Sequence, residues 1–539
     1  MNMIDLLFIL PPLLIPIVIS LFLRNSLYDS DFAGLHYPGY ALAKGYISWD
    51  FFHKDLVGSP GNKTFVQYLN SFLYKIIGGD VPRVRLFYGV WAGFSSVLLY
   101  GLIMVMTRNS LAAFTSSICF SGLSVHPILF THFENAERYA LLHSLLHFLT
   151  IILAISSDHA GWAAIAAIVF IPMPFLHKPL YVFDVLAGII LLMIQSTLLS
   201  VCVYMGILVS IPMVLLLCLD YQDRKRLLEG VFDFRSGFYR YWLTFGRSLS
   251  LKGVLKDIML FSPAVMLRLL PPIFILLLLP YELLISKTVL SCLVLLAASL
   301  LIPLVQLRFY PYHYIPLILP ISILSGIIIN ESSVSLGTIL IIVYLLFLYL
   351  DLLILCKQTP EKLNQKLCAP IPHYGTRNLV AWKIGTKLRK MTSSTDTILV
   401  WGDTPQVYLY ADRVPSYHFL ELVPTAFTCY PNKLQHFLSQ INESPPLYIA
   451  VMLNNINWET LQRVTGYYYE FVDAVVCNEE WFPIYKLSEV KTHRSDIGSI
   501  SGDLFFIDCL KKNPDRKIFN PLPKVRDKDP NPTVCDIID

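Results

Sequence analysis

Five groups of ionisable residues, four of them close to a long apolar run, have types and spacing that could do chemistry. Two of them share one polar loop: Asp29-Ser30-Asp31, and then Asp50, His53 and Lys54. A carboxylate near a membrane surface can accept a proton from a hydroxyl group or help to hold a divalent metal. An isolated loop acid is more often simply solvated, but two acids, Asp50 and Asp55, that flank His53 and Lys54 favour a functional role.

The other three groups lie where a polar connection meets an apolar run. They are Glu137-Arg138, His177-Lys178-Pro179 and Arg308-Phe309-Tyr310-Pro311-Tyr312-His313. A guanidinium, an ammonium and an imidazole at headgroup level suit a lipid phosphate, because they donate charge-assisted hydrogen bonds to its oxygens. Anchoring of helix ends among the headgroups is the alternative, and Glu137 and Arg138 could also pair with each other.

The composition assigns these residues to a membrane protein. Of the 539 residues, 55% are hydrophobic and only 15% are charged, and the mean hydropathy is +0.57. Soluble proteins carry about 25% charged residues, so an ordinary soluble enzyme is excluded. The net charge of +4 gives no reason to expect a nucleic-acid partner. The first apolar run lacks a basic flank and a cleavage site, which predicts a retained span.

Apolar windows long enough to cross a bilayer recur about eleven times, which predicts a polytopic α-helical membrane protein. They lie near 5–24, 86–107, 110–130, 138–156, 160–176, 178–196, 199–219, 262–282, 286–306, 313–329 and 334–356. Residues 1–356 are predicted to form the transmembrane module, with a long first loop at 25–85. Aromatic patterns over 32–48 and 64–77 predict two helices in that loop that lie on the membrane.

The tail is predicted to hold a small α/β domain over 357–487 and a largely irregular extension over 488–539. A helical pattern at 379–391 precedes a strand at Thr397–Trp401, and one at 432–442 precedes a strand at Leu447–Met452. Two more strands are predicted, at Phe471–Val476 and Phe482–Leu487. The five tail cysteines leave disulfide pairing open, with Cys477 and Cys509 as one pairing.

Alternate crossings place nearly all the polar residues at one membrane face. Counted from a cytoplasmic N-terminus, the first loop, the turns at 131–137, 172–178 and 307–312, the loop at 220–257 and the tail all lie outside. The ionisable residues are expected to gather at the face where chemistry occurs. The positive-inside rule favours the opposite orientation, because the Lys/Arg excess lies on this face. The sequence contains no nucleotide-binding or metalloprotease motif.

These motifs, in this order, resemble the GT-C superfamily of integral-membrane glycosyltransferases. The closest resemblance is to the bacterial protein-mannosyltransferase-like branch, which also resembles the lipid A aminoarabinose transferases. It is carried by Asp31…Gly45…Asp50-Phe51-Phe52-His53-Lys54…Pro60-Gly61, Asn135-Ala136-Glu137, His177-Lys178-Pro179, Arg308–Tyr314 and Ile398–Gly402. The chain departs from the family pattern where Phe32 replaces a second acid, where Asp55–Ser59 lengthen one element, and where Tyr312 is inserted.

The resemblance implies a GT-C fold with a C-terminal α/β domain outside the cytoplasm, in the bacterial inner membrane with the active site facing the periplasm. It implies inverting transfer of a sugar from a polyprenyl-phosphate donor to a glycan, lipid or protein acceptor, among membrane lipid. Asp31 would be the general base, and Lys178, Arg308 and His313 would neutralise the departing lipid phosphate. The remaining substrate-binding candidates are Asp29, Asp50, His53, Lys54, Glu137, Arg138 and Tyr310. The resemblance makes no cofactor certain and leaves a divalent metal open.

Two other functions are compatible with many spans and interfacial cations. A transporter or flippase of lipid-linked sugars would not explain an acid-rich first loop or a tail domain, and transporters tend to show repeated halves, which this sequence lacks. An enzyme similar to an O-antigen ligase or polymerase would carry its large loop late in the chain, whereas the long loop here comes first. The transferase is therefore the favoured prediction.

Overall fold

The chain divides into two compact units. The computed structural model describes residues 3–28, 30–48, 65–78, 80–129, 136–171, 181–218, 259, 263–277, 287–306, 311–331, 336–367, 372–402, 404–417, 437, 439–452, 467–477 and 480–491. One unit, here called the bundle unit, comprises Met1–Ser26, Lys63–Leu228 and Leu249–Pro370. The other, here called the sheet unit, comprises Leu27–Asn62, Glu229–Ser248 and Ile371–Asp539. Most of the first loop therefore belongs to the same unit as the tail.

The described part of the bundle unit is helical. Helices are numbered along the whole chain, and α2 (Ser30–Ala43) belongs to the sheet unit. The bundle unit contains α1 (Met3–Leu23), α3 (Phe65–Ile77), α4 (Val81–Thr107), α5 (Ser110–Ser124), α6 (Ala136–Ser157), α7 (Ala160–Phe170), α8 (Val182–Gln195), α9 (Leu198–Cys218), α10 (Pro271–Leu277), α11 (Lys287–Gln306), α12 (Ile318–Glu331), α13 (Leu336–Cys356) and α14 (Pro360–Leu367). A 3-10 helix, Pro311–Leu317, leads into α12.

Several of these helices are suited to a membrane. Within the described residues, four stretches are long and apolar enough to cross one: Val81–Thr107, Arg138–Ser157, Pro311–Glu331 and Leu336–Cys356. Shorter apolar helices lie at Leu7–Leu23, Ser110–Ser124, Ala160–Phe170, Val182–Gln195, Leu198–Val214 and Thr288–Leu304. A largely helical fold with membrane-type helices is therefore confirmed, whereas the number eleven stays a prediction.

Helix α13 shows why the surroundings of the bundle must be apolar. Its buried face carries Ile341, Tyr344 and Leu348, while Ile342 and Leu346 on the other side are exposed. A helix that is apolar all round is stable only where both faces meet a nonpolar environment. Lipid supplies that environment for the outer face.

Helices α1 and α4 approach each other through glycines. A Cβ atom added at Gly93 would clash with the carbonyl oxygen of Leu13, and one at Gly89 would lie 2.9 Å from the carbonyl oxygen of Pro16. Small residues spaced four apart let helix backbones meet in lipid, where packing replaces the hydrophobic effect. Because Pro16 has no N–H, the carbonyl of Pro12 lacks its helical donor. The Ser121 hydroxyl on α5 donates to that carbonyl at 2.8 Å.

The two ends of the bundle unit are distinguishable. Only Arg108 and Asn109 join α4 to α5, so these helices run antiparallel. Arg85, near the start of α4, bonds Ser26, just after the end of α1. At the opposite end, the amide of Asn109 donates to the side-chain oxygen of Asn330 at 3.2 Å. The end where α1, α5 and α13 finish and α4 and α6 begin is called the polar end below.

The sheet unit is built on five strands. They are β1 (Thr397–Trp401), β2 (Val414–Pro415), β3 (Tyr448–Val451), β4 (Tyr467–Cys477) and β5 (Glu480–Lys491), in the order β2-β1-β3-β5-β4. Strand β1 is parallel to β2 and β3, whereas β5 is antiparallel to β3 and β4. Besides α2, the described part contains α15 (Pro372–Met391) and α16 (Gln406–Ala411), and residues 437 and 439–443 are helical.

The small C-terminal sheet confirms the predicted tail strands. The strand at Thr397–Trp401 has the predicted bounds, and the other three predicted strands fall within or overlap β3, β4 and β5. Strand β5 continues to Lys491, past the predicted boundary at 487. Most of the extension at 488–539 lies outside the described residues, whereas the described residues of the predicted helix at 432–442, which are 437 and 439–442, are helical.

Candidate functional site

The predicted site residues are divided between the two units. The backbone of Asp31 lies in the first turn of α2, in the sheet unit, and that of Glu137 lies in the first turn of α6, at the polar end of the bundle unit. The side chains of Arg138 and His313 are described in full. The other predicted residues lie outside the described part of the chain: Asp29, Asp50, His53, Lys54, Lys178, Arg308 and Tyr310.

Arg138 is buried at the polar end, with 4% of its surface exposed. Its Nη2 atom donates to the carbonyl of Tyr88 at 3.2 Å, and its guanidinium lies 5.9 Å from the centre of the Tyr88 ring. The hydroxyls of Tyr88 and Tyr139 both donate to the side-chain oxygen of Asn70. The guanidinium therefore faces the bundle interior, and does not reach outward to the headgroups as an anchoring side chain would.

A second guanidinium, that of Arg85, is 2% exposed at the same end. Its Nη1 atom donates to the carbonyl and the hydroxyl of Ser26, at 2.6 and 2.8 Å. Sequence reasoning missed Arg85 because it assigned the residue to the end of the polar first loop. The signal that could have found it is its place one turn before Tyr88, on a helix with Pro at its start and a capping Asp80.

His313 lies in the 3-10 helix that precedes α12. It is 2% exposed, and its ring meets that of Tyr312 edge-on with centroids 4.3 Å apart. The predicted cationic residues that the structure describes at the polar end are thus both buried. Together with Arg85, they bring three basic side chains into the interior of the bundle unit.

A further ionisable cluster at the polar end was not predicted. Arg268 donates through Nε and Nη2 to Oδ2 of Asp351, at 3.0 and 2.6 Å, and the Nε2 atom of His126 lies 3.3 Å from the same oxygen. The Tyr344 hydroxyl donates to the carbonyl of Arg268 at 2.8 Å. The sequence signal for this cluster was that Arg268 lies in one apolar window and Asp351 in another. A charged side chain in lipid needs a partner of opposite charge, so the two residues were candidates to pair.

Polar contacts nearer the opposite end are of a different kind. Asn109 bonds Asn330, and the Gln195 amide donates to the Ser291 hydroxyl at 2.5 Å. Deeper in the bundle, Ser144 donates to Asp184 at 2.6 Å, and His147 and Tyr204 are 2.7 Å apart. Among the described residues of the bundle unit, the buried arginines Arg85, Arg138 and Arg268 therefore lie at the polar end, together with His126 and His313. The buried His147 lies deeper in the bundle.

In the sheet unit, α2 is held by contacts from its tyrosines. The Tyr37 hydroxyl donates to the carbonyl of Arg413 at 2.7 Å. The hydroxyl of Tyr40 donates to Oδ1 of Asp412, and that of Tyr46 donates to the same oxygen at 2.8 Å. Gly45, with φ +72°, ends the helix in a left-handed conformation that turns Tyr46 back toward Asp412.

Asp412 is itself held in place. It ends α16 with φ 54°, a conformation that Asp tolerates better than most residues, and its N–H bonds the carbonyl of Tyr408. Burial alone would raise the pKa of its carboxyl. The hydrogen bonds from Tyr40 and Tyr46 and the charges of Lys44 and Arg389 outweigh burial and hold that pKa below its usual value. The carboxylate is therefore ionised at neutral pH.

Aromatic rings support the start of α2. Phe32 is fully buried and stacks on His36 with ring centroids 3.9 Å apart, and Tyr28 stacks on Tyr410 at 4.6 Å. The N–H of Tyr28 donates to the Tyr410 hydroxyl at 2.7 Å. The burial of Phe32 among these rings is the physical reason that an apolar residue suits this position.

The described residues supply no ready metal site. No group of three His, Cys, Asp or Glu side chains among them is arranged to hold an ion. The Asp31, Asp50 and His53 side chains lie outside that search, so a divalent metal stays an open cofactor.

Comparison with known proteins adds no family to this picture. No protein-family model matches the chain, and no curated protein matches it at a significant level of similarity.

Proposed function

We propose that this protein is a membrane glycosyltransferase that uses a polyprenyl-phosphate-linked sugar. The observation that carries the proposal is the burial of Arg85, Arg138 and His313 at one end of a largely apolar bundle. Basic groups inside a membrane domain are costly and mark sites for polar substrates. An anionic lipid phosphate with a long apolar tail is a substrate that needs both a cationic site and a lipid-facing entry.

The proposed reaction is a single displacement. The acceptor's hydroxyl oxygen attacks the anomeric carbon while its proton passes to the Asp31 carboxylate. The bond from that carbon to the phosphate oxygen breaks, and the electron pair leaves with the lipid phosphate. One displacement inverts the anomeric configuration. Fixed cations stabilise the charge that develops on the leaving group, and by sequence Lys178 and Arg308 join His313 in that role.

The cysteines support a sheet unit that faces an oxidising compartment. Cys477, at the end of β4, is disulfide-bonded, and its partner lies outside the described residues. The described cysteines of the bundle helices, including Cys119 and Cys292, are free thiols. Disulfides persist in the periplasm and outside the cell and are rare in the cytosol. This favours the periplasmic orientation over the one that the positive-inside rule favours.

The test compares purified wild type with Asp31→Asn in detergent. Radiolabelled polyprenyl-phosphate hexoses and pentoses are supplied with membrane-extract acceptors, and release of free lipid phosphate is measured. Wild type should consume one donor. Asp31→Asn should bind that donor with unchanged affinity but turn it over at least about 100-fold more slowly, because the general base is lost.

The matched control is Asp158→Asn. Asp158 is an exposed acid in the turn between α6 and α7, away from the polar end, so its variant should keep wild-type turnover. Turnover by Asp31→Asn at the wild-type rate would remove the assigned base. Donor binding without turnover by either protein, with donor movement between leaflets of wild-type proteoliposomes, would replace the transferase with a flippase.

A further inference from the structure

Helix α2 cannot owe its order to its own sequence. It has 14 residues, with Pro38 inside it and glycines at positions 34 and 39. Isolated helices shorter than ~12–15 residues are marginal in water even when rich in alanine. Proline removes one helical hydrogen bond, and each glycine weakens the helix further. The helix that carries Asp31 must therefore be ordered by what it packs against.

Its contacts converge on two consecutive residues of the tail. Tyr37 and Tyr40 lie three apart on one face of α2, and their hydroxyls bond Arg413 and Asp412. Tyr46, placed by the turn at Gly45, adds a second phenol to the same Asp412 oxygen. Phenols that donate to an ionised carboxylate make stronger hydrogen bonds than neutral pairs do.

The acceptor is rigid as well as charged. Arg413 donates through Nε to the Thr392 hydroxyl at 2.7 Å and through Nη2 to the carbonyls of Arg389 and Thr392. These bonds fasten the end of α16 to the end of α15. Gly385 on α15 permits the close approach, because a Cβ there would clash with Tyr410.

We infer that Asp412 is the positioning residue that holds α2, and through it Asp31, in place for proton transfer. This inference rests on the proposed function and assigns the tail domain its role. Asp31 and Tyr40 are nine residues apart, about 14 Å along a helix, so Asp412 acts through the helix axis and not on the substrate. Misplacement of a catalytic group by about 1 Å can cost on the order of 100-fold in rate.

The test uses the full chain in detergent and two independent readouts. Asp412→Ala should speed amide hydrogen exchange over residues 33–46 by at least 10-fold and lower kcat by 10- to 100-fold. The dissociation constant for the lipid donor should stay within twofold, because the proposed phosphate-binding residues belong to the bundle unit. Asp412→Asn keeps one acceptor oxygen and the left-handed backbone, so its values should fall between those of alanine and wild type.

Two further variants separate positioning from loss of folding. Tyr46→Phe removes only the hydroxyl oxygen that donates to Asp412. In the double variant with Asp412→Ala it should change hydrogen exchange and kcat little further, because both substitutions remove the same hydrogen bond. Glu470→Ala removes an exposed carboxylate on β4, at the far edge of the sheet, and should match wild type in exchange and kcat.

Three results would overturn the inference. They are unchanged exchange over residues 33–46 in Asp412→Ala, faster exchange with unchanged kcat, and loss of donor binding in parallel with kcat. If wild type turns over no donor, the proposed function fails, while the exchange measurement still decides whether Asp412 holds α2.

Discussion

The two units hold their polar groups by different means. In the bundle unit, helices approach each other closely at glycines, as at Gly89 and Gly93. Its buried guanidinium groups donate hydrogen bonds to backbone carbonyls or to Asp351. In the sheet unit, tyrosine hydroxyls meet one carboxylate. Lipid supplies no hydrogen bonds, so every polar group within it needs a protein partner. The stability of the bundle unit should therefore depend most on side-chain charge and volume. The stability of the sheet unit should depend on single hydroxyl oxygens and on pH.

The largest effect is expected from breaking the Arg268–Asp351 pair. Arg268→Met should destabilise the bundle by about 3 kcal/mol, because it leaves a largely buried carboxylate without its main cation. The double variant Arg268→Met/Asp351→Leu should recover most of that loss. Thermal unfolding of all three variants in detergent measures the coupling, and purely additive losses would show that the pair does not act as a unit.

Gly93→Ala should lower the free energy of unfolding by about 2 kcal/mol, a smaller loss, because the added methyl forces α1 and α4 apart. Gly101→Ala is the matched control on the same helix, since no atom lies within 4 Å of a Cβ placed there. It should be neutral or slightly stabilising because alanine favours helices. Equal melting temperatures for the two variants would mean that close backbone approach does not distinguish the bundle.

In the sheet unit, Tyr37→Phe should lower the free energy of unfolding by about 1 kcal/mol, because the Arg413 carbonyl loses its hydrogen bond from the Tyr37 hydroxyl. The control is Tyr468→Phe on β4, a ring that is 43% exposed. The control should not change the melting temperature. A loss for Tyr37→Phe as large as that for Gly93→Ala would weaken the contrast between the units.

The smallest effect is a pH dependence confined to the sheet unit. The pKa of Asp412 is lower in the folded protein than in the unfolded chain. The ionised carboxylate therefore contributes its full stabilisation of the fold above about pH 4, and this contribution is lost as the pH falls through the pKa of the folded state. The melting-temperature difference between wild type and Asp412→Asn should therefore shrink below pH 4. A difference that stays constant down to pH 2 would contradict this assignment.

An alkaline limit follows from Tyr46. Burial first, and then the hydrogen bond to Asp412, raise the pKa of its phenol to about 12. The protonated phenol is favoured in the folded protein, so its contribution is complete below about pH 10 and is lost as the pH rises through 12. Phenolate absorbance of wild type compared with Tyr46→Phe measures this step, and ionisation near pH 10 would contradict it.

Local patterns were enough to predict the helical fold and the tail strands. In the run Thr397–Trp401 the last four residues are apolar and buried, and a short apolar run bounded by a turn indicates an interior strand. The ends of helices were predicted less well. Arg85 looked like a loop residue because its burial depends on Ser26, which is distant in sequence and belongs to another helix end.

The contacts around α2 could not be predicted from local patterns. Tyr40 and Asp412 are 372 residues apart, and nothing in the spacing of either residue points to the other. Arg268 and Asp351 each stand out as a charged residue in an apolar window, but neither window indicates that the two residues pair. Pairings of this kind depend on which helices become neighbours, and periodicity within one helix does not contain that information.

The close packing of α1 on α4 bears on how the chain can be engineered. The carbonyl oxygens of Leu13 and Pro16 face glycines, and that of Pro12 accepts the Ser121 hydroxyl. A generic hydrophobic segment of equal length would insert into a bilayer but would not offer those atoms at those positions. Chimeras that exchange the N-terminal helix should therefore be inserted yet poorly assembled, so this helix is better treated as part of the core than as an interchangeable module.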